Sequence, residues 1–163
     1  LSLHDALPIL KGLNKFSPKR IILDNYLKTK TTSYIFKTSN KNNTIIFYKN
    51  ADKKRILLFK KKGIQLIKSN LIDNKNFDLK LILKKIFTLG CRNLLIEGGN
   101  ELSKSFLKKK LFNEFYLFKS PKRLSKLVDH KEINFFKDLT QNYKSKSKIN
   151  TKLGKDSITL YKN

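Results

Sequence analysis

Apolar residues recur along this chain in short runs, set between stretches dense in Lys and Asn. "KRIILD", Lys19 to Asp24, predicts a buried strand ending in an acid. "TIIFY", Thr44 to Tyr48, predicts a second strand, rich in β-branched and aromatic residues. The "NKNN" before it, Asn40 to Asn43, has turn chemistry. "RILLF", Arg55 to Phe59, reads as a third strand, and "IQLI", Ile64 to Ile67, as a short fourth, with Gly63 supplying the turn between them.

The period then changes. In "DLKLILKKIFTL", Asp78 to Leu89, the residues Leu79, Ile82, Leu83 and Ile86 recur at spacings of three and four, which predicts an amphipathic helix. Asn76 or Asp78 is placed to cap its start, and Gly90 suits the left-handed position after its end. "RNLLIEGG", Arg92 to Gly99, predicts another strand. Asn100 to Lys110 predicts a second helix, with Leu102, Phe106 and Leu107 as its inner stripe and three Lys in its last turn. "EFYLFKSPK", Glu114 to Lys122, predicts a strand broken at Pro121, and "INFF", Ile133 to Phe136, adds an apolar run. Alternation from Tyr143 to Thr151, a turn near Gly154 and "SITLY" from Ser157 predict a terminal β-hairpin. Strands alternating with helices imply an α/β fold, to which the hairpin adds antiparallel pairing. No internal repeat and no linker marks a second domain.

The first nine residues, "LSLHDALPI", stand apart, with no Lys, no Asn and no start Met. They resemble a translated sequencing adapter, so they are set aside as a non-native leader, and His4 and Asp5 carry no functional weight. At 163 residues the chain is long enough for a core, and its 39% of hydrophobic residues is low for a globular domain but too high for a disordered one. The apolar runs fall far short of the roughly 20 residues of a membrane span. A single cysteine, Cys91, excludes an internal disulfide and fits a reducing cytoplasm.

A net charge of +25 suggests a nucleic-acid partner, in the manner of a small basic, ribosome-associated protein. Two features weigh against that reading. Of 37 basic residues only Arg20, Arg55, Arg92 and Arg123 are Arg, whereas phosphate and base readers recruit the planar Arg fork. The Lys residues are also spread along the whole chain. Abundant Lys, Asn, Ile and Phe together match an A+T-rich coding sequence.

The strongest candidate for chemistry is "LLIEGGNEL", Leu94 to Leu102. A helix start leaves backbone N–H groups unpaired, and glycines let a phosphate approach them closely. An acid at a strand's carboxyl end accepts hydrogen bonds from ribose hydroxyls or a substrate amide. The segment is neither the dinucleotide G-x-G-x-x-G fingerprint nor a P-loop, so spacing alone slightly favours a plain tight turn over a ligand site. His130, after Asp129, falls in a polar loop and reads as solvated; Cys91 reads as a small buried residue. No metal-ligand set and no Ser/His/Asp constellation can be assembled, and the His-x-Glu…Pro-Cys-x-x-Cys of a zinc deaminase is absent.

"SPKRIILD", "TIIF", "GIQLI", "DLKLILKKIFTLGCRNLLIEGGNELSKSFL" and "NEFYLFKSPK" occur here in an order that resembles the reductase domain of the bacterial bifunctional riboflavin-biosynthesis deaminase/reductase. The resemblance runs from about Lys11 to the C-terminus and is most specific across the Glu-Gly-Gly segment. It implies a dihydrofolate-reductase-like fold, a central mixed and mostly parallel sheet flanked by helices, with NADPH across the carboxyl edge of the strands. The implied reaction is reduction of 5-amino-6-(5-phosphoribosylamino)uracil to its ribitylamino product, by hydride delivery to C1′ of a ring-opened imine. The implied partners are this phosphorylated pyrimidine ribosylamine and a second copy of the chain in a homodimer; nucleic acid and membrane are not implied.

Carried over by motif, Glu97 matches the acid that contacts substrate. Gly99, Asn100, Glu101, Leu102, Ser103, Lys104 and Ser105 match the segment lining NADPH, and Gly98 stands at a small-residue position. Asn25, after Asp24, replaces a serine near the cofactor and keeps a hydrogen-bonding side chain. No position is assigned as a catalytic residue, and no metal is implied. The family's first strand, with its Lys-x-Ala-x-Ser-x-Asp-Gly-like motif, its phosphate-holding arginines and the preceding zinc deaminase domain have no counterpart here. Residues 10–163 are therefore expected to be the later part of a reductase domain, marginally stable and inactive in isolation because neighbours of the absent strand keep unpaired edges.

Overall fold

Three parallel strands organise the first half of the chain: β1 (Arg20–Leu23), β2 (Thr44–Tyr48) and β3 (Gln65–Lys68), in the order β1-β2-β3. The computed structural model describes residues 18–73, 75–121, 139, 143, 145–150 and 154–163. Arg20 pairs with Thr44 and Leu23 with Phe47, while Ile45 pairs with Gln65 and Tyr48 with Lys68. The middle strand is buried at every position, as a β-branched and aromatic run predicts. Its side chains alternate between two apolar layers. Ile46 and Tyr48 join Leu27, Phe36, Phe59 and Ile64 on one face; Ile45 and Phe47 join Phe77, Ile82 and Ile86 on the other.

Helices supply both layers. α1 (Tyr34–Thr38), capped by the Ser33 hydroxyl, contributes Phe36, and α2 (Lys53–Lys61) contributes Phe59. α3 (Leu79–Thr88) covers the opposite face through Ile82 and Ile86. Asp78 is its cap, accepting from the N–H groups of Lys80 and Leu81, whereas Asn76 bonds back to Asp73. Gly90 has φ +86° after the helix end, as expected, and Gly63 has φ +84° before β3. A Cβ at Gly63 would stand 2.8 Å from the Lys41 nitrogen, so the turn there requires glycine.

Two expected strands are not strands. "RILLF" lies inside α2, because Asp52 accepts from the N–H groups of Lys54 and Arg55 and starts a helix there. Parallel β2 and β3 also need a crossover between them, and α2 is that crossover. "RNLLIEGG" forms no ladder among the described residues; Leu95 is 74% exposed and no described strand pairs with it.

The described residues divide into two compact units between Leu94 and Leu95. In the second, α4 (Asn100–Lys108) precedes an antiparallel sheet of β4 (Glu114–Lys119), β5 (Lys146–Ile149) and β6 (Ser157–Lys162), in the order β4-β6-β5. Its core gathers Leu107, Leu139, Tyr143 and Tyr161, with Phe112, Phe115 and Leu117 packed against them. The Tyr143 hydroxyl donates to the Leu107 carbonyl at 3.0 Å, giving the buried phenol a partner. The closing hairpin is present, with Gly154 at φ +62° in its connection. Parallel and antiparallel pairing thus both occur in a mixed α/β architecture, carried by two three-stranded sheets. The leader, "INFF", Asp129 and His130 lie outside the described residues.

Candidate functional site

The Glu-Gly-Gly segment leads directly into α4. Glu97 is exposed, and residues 91–99 run without regular structure up to Gly99, the N-cap residue. Gly98 is packed tightly: a Cβ there would meet Cβ and Cδ2 of Leu102 at 2.8 Å. Gly99, in contrast, has no heavy atom within 4 Å of where its Cβ would stand. It also offers no side chain to the first turn, so α4 starts without a side-chain cap.

The serines of this turn leave the helix start open as well. The Ser105 hydroxyl donates to the Glu101 carbonyl at 2.8 Å, and that of Ser103 points back toward the Gly98 carbonyl at 3.5 Å. Glu101 is exposed in the first turn, where a carboxylate suits the helix dipole, and Lys104 is half-buried one turn on. The structure therefore gathers Gly99, Glu101, Leu102, Ser103, Lys104 and Ser105 with Asn100 on one short helix, with Glu97 just before it.

Asn25 belongs to the other unit, at the carboxyl ends of β1 and β2. Its carbonyl accepts from the N–H groups of Lys49 (2.9 Å) and Asn50 (3.1 Å), and its side-chain amide donates to the Lys75 carbonyl at 2.6 Å. The side chain expected near a ligand thus ties β1 to a neighbouring loop. Beside it, the Asp24 carboxylate accepts from the N–H of Lys28, the N–H of Thr29 and the Thr29 hydroxyl, each at 2.8 Å.

Arg55 belongs to none of the candidate site motifs in the sequence. From the first turn of α2 its guanidinium donates to the carbonyls of Leu27 and Thr29. The loop it holds lines an open cavity of about 520 Å³ with Tyr26, Lys28, Lys30, Thr31 and Thr32. A signal existed in the composition. Where nearly every cation is Lys, each Arg among the described residues marks a place where a fork reaches backbone: as Arg55 does, Arg20 donates to a carbonyl, that of Thr38, and Arg92 to that of Phe87.

A parallel sheet whose strand ends carry loop-held polar groups, and a separate glycine-led helix start without a cap, are both places where α/β proteins take anionic ligands. The sequence profile of the RibD C-terminal domain matches residues 6–134. The chain belongs to this family.

Among its relatives is the riboflavin biosynthesis protein RibD of Aquifex aeolicus, 30% identical over 145 residues. That match takes in 89% of this chain but only 38% of the relative, so the chain spans well under half of the curated protein. The solved structure of Acinetobacter baumannii RibD superposes with a TM-score of 0.60 at 17% identity, covering 90% of this chain and 38% of that one. A pyrimidine reductase-like protein from Corynebacterium diphtheriae superposes with a TM-score of 0.62 at 14% identity, over 90% and 61% of the two chains. These likenesses establish the reductase-domain fold. Among the described residues no helix is long and apolar enough to cross a membrane.

Proposed function

We propose that this chain is reductase-domain sequence acting in riboflavin biosynthesis, where it reduces 5-amino-6-(5-phosphoribosylamino)uracil to the ribitylamino product. The observation that carries the reading is the glycine-led, uncapped start of α4 directly after Glu97, in a chain of the RibD C-terminal domain family. NADPH is the proposed cofactor and supplies hydride to C1′ when bound. The fit is chemical: the first-turn N–H groups after Gly99 have no side-chain acceptor and suit a phosphate oxygen. The open space at Gly99 leaves room for that approach.

In this assignment Gly99 to Ser105 hold the cofactor's phosphates. The exposed Glu97 carboxylate accepts hydrogen bonds from the substrate, orienting C1′ toward the hydride donor. Lys104 adds a cation beside the phosphates. A cytoplasmic enzyme working as a homodimer completes the proposal; its support is the family resemblance and a free cysteine, Cys91.

The test is Glu97→Gln in the natural full-length protein, assayed for substrate-dependent NADPH consumption. The expected result is a fall of roughly ten- to a hundredfold in kcat/KM for the pyrimidine, with NADPH binding and Tm retained. An unchanged kcat/KM would remove Glu97 from the site.

A further inference from the structure

α2 is apolar on two faces. Ile56 and Phe59 turn toward the buried layer that Ile46 and Tyr48 share. On the outside, Lys54, Leu57, Leu58 and Lys61 stand at i, i+3, i+4 and i+7, so they form one stripe. The two leucines are 57% and 44% exposed. An exposed apolar residue standing alone needs no explanation, but here two share a stripe with a lysine at each end.

Helix stability does not account for the lysines. Lys60 and Lys61 suit the negative end of the helix dipole, but Lys53 and Lys54 stand in the first turn, at the positive end. No acid lies in that turn, and Asp52, the cap, is already engaged by the N–H groups of Lys54 and Arg55. All four lysines are exposed, so the outer face of α2 sets an apolar centre in a cationic frame. Complementarity calls for an occupant that is anionic at its surface and apolar beneath. A second copy of the chain does not qualify, because it brings the same lysines and its own charge of +25. A folded acidic protein falls short on area. Nine residues make a face about 13 Å long and on the order of 150 Å², against the ~800 Å² per partner of a stable protein interface.

We infer that the outer face of α2 is a docking surface for an anionic phospholipid bilayer, with Leu57 and Leu58 entering the acyl boundary and Lys53, Lys54, Lys60 and Lys61 meeting the phosphates. A bilayer sets no minimum area, since each lysine adds its own attraction to the anionic surface and each leucine its own buried methylenes. The lysine stems lie along apolar surface while their ammonium groups reach the headgroups. The contact is peripheral and reversible. It stands apart from the reductase reading, for none of these residues belongs to the candidate site.

The test is co-sedimentation of the natural full-length protein with vesicles of phosphatidylcholine and phosphatidylglycerol, about 7:3, in about 0.15 M NaCl, against vesicles of phosphatidylcholine alone. The wild type is expected to bind the anionic vesicles and not the neutral ones. Leu57→Gln/Leu58→Gln, which leaves the charge unchanged, and Lys53→Gln/Lys54→Gln are each expected to weaken that binding about tenfold with Tm retained. Lys84→Gln/Lys85→Gln removes the same charge from exposed positions of α3, across the sheet, and is expected to change binding less than about twofold. Equal losses from the two lysine pairs would reveal attraction by the charge of the whole molecule and overturn the inference. So would an unaffected leucine variant, or a wild type that ignores the anionic vesicles. A leucine-dependent dimer without vesicles gives the face to a second copy, and leucine-dependent binding of poly-glutamate as tight as that of the vesicles gives it to an acidic protein; either result overturns the lipid assignment. Should the leucine variant fail to fold, the comparison of the two lysine pairs decides the question.

Discussion

A side chain on Gly98 would collide with Cβ of Leu102, an atom fixed by the helix backbone and unable to swing away. Gly98→Ala is therefore expected to shift the first turn of α4 and to cost about 1–3 kcal/mol in urea unfolding, as overpacking does. Gly99→Ala meets nothing within 4 Å, and its cost is expected to stay under about 1 kcal/mol. Equal losses for the two variants would contradict the packing seen here. The glycine pair was legible as a special turn, but which glycine is obligatory was not, because the answer depends on where Leu102 comes to rest. Arg55 was hidden for the same reason: its two carbonyl partners lie 28 and 26 residues away in sequence.

Among the elements, strands and helices with a clear period appeared where expected, and α3 did so with its cap and its terminal glycine. At Arg55–Phe59 the apolar run predicts a strand, but its flanks make it part of α2. Ile56 and Phe59 point inward at a spacing of three while Leu57 and Leu58 are exposed, so the run is the edge of an amphipathic helix. The decisive mark is Asp52, whose carboxylate caps the helix. Asp52→Ala is expected to destabilise the protein by about 1 kcal/mol through loss of that cap, read as a lower urea midpoint with an unchanged slope. A strand at these positions would show no such sensitivity. α1, at five residues, is too short for periodicity to reveal, and its position is set by Phe36 reaching the buried layer.

Across the molecule the dominant electrostatic fact is a charge of +25 on 163 residues. Among the described residues a single ion pair is seen, Lys162 to Glu114 at 3.5 Å, and it lies at the surface. Exposed pairs of this kind add little, so the excess positive charge acts mainly as self-repulsion. Raising NaCl from low ionic strength to about 0.5 M shortens the screening length and is expected to raise Tm by several degrees. A Tm that falls or stays level would mean that repulsion does not limit stability. Burial opposes the repulsion: Ile45, Ile46 and Phe47 in β2 are each at most 3% exposed and contribute about 1.5–3 kcal/mol apiece.

Period, turn chemistry and motif order are local, and they were enough to establish an α/β chain, its family resemblance and the helix start after Glu97. Each depends on residues within a few positions of one another. What pairs with what is long-range. The division of pairing into a parallel and an antiparallel sheet, the course of Arg92–Gly99 without a partner strand among the described residues and the reach of Arg55 to the β1 loop are decided only when distant segments meet. A strand exists through its partner's hydrogen bonds and a positioning residue through the groups it holds, and neither is encoded in the stretch of sequence that displays it.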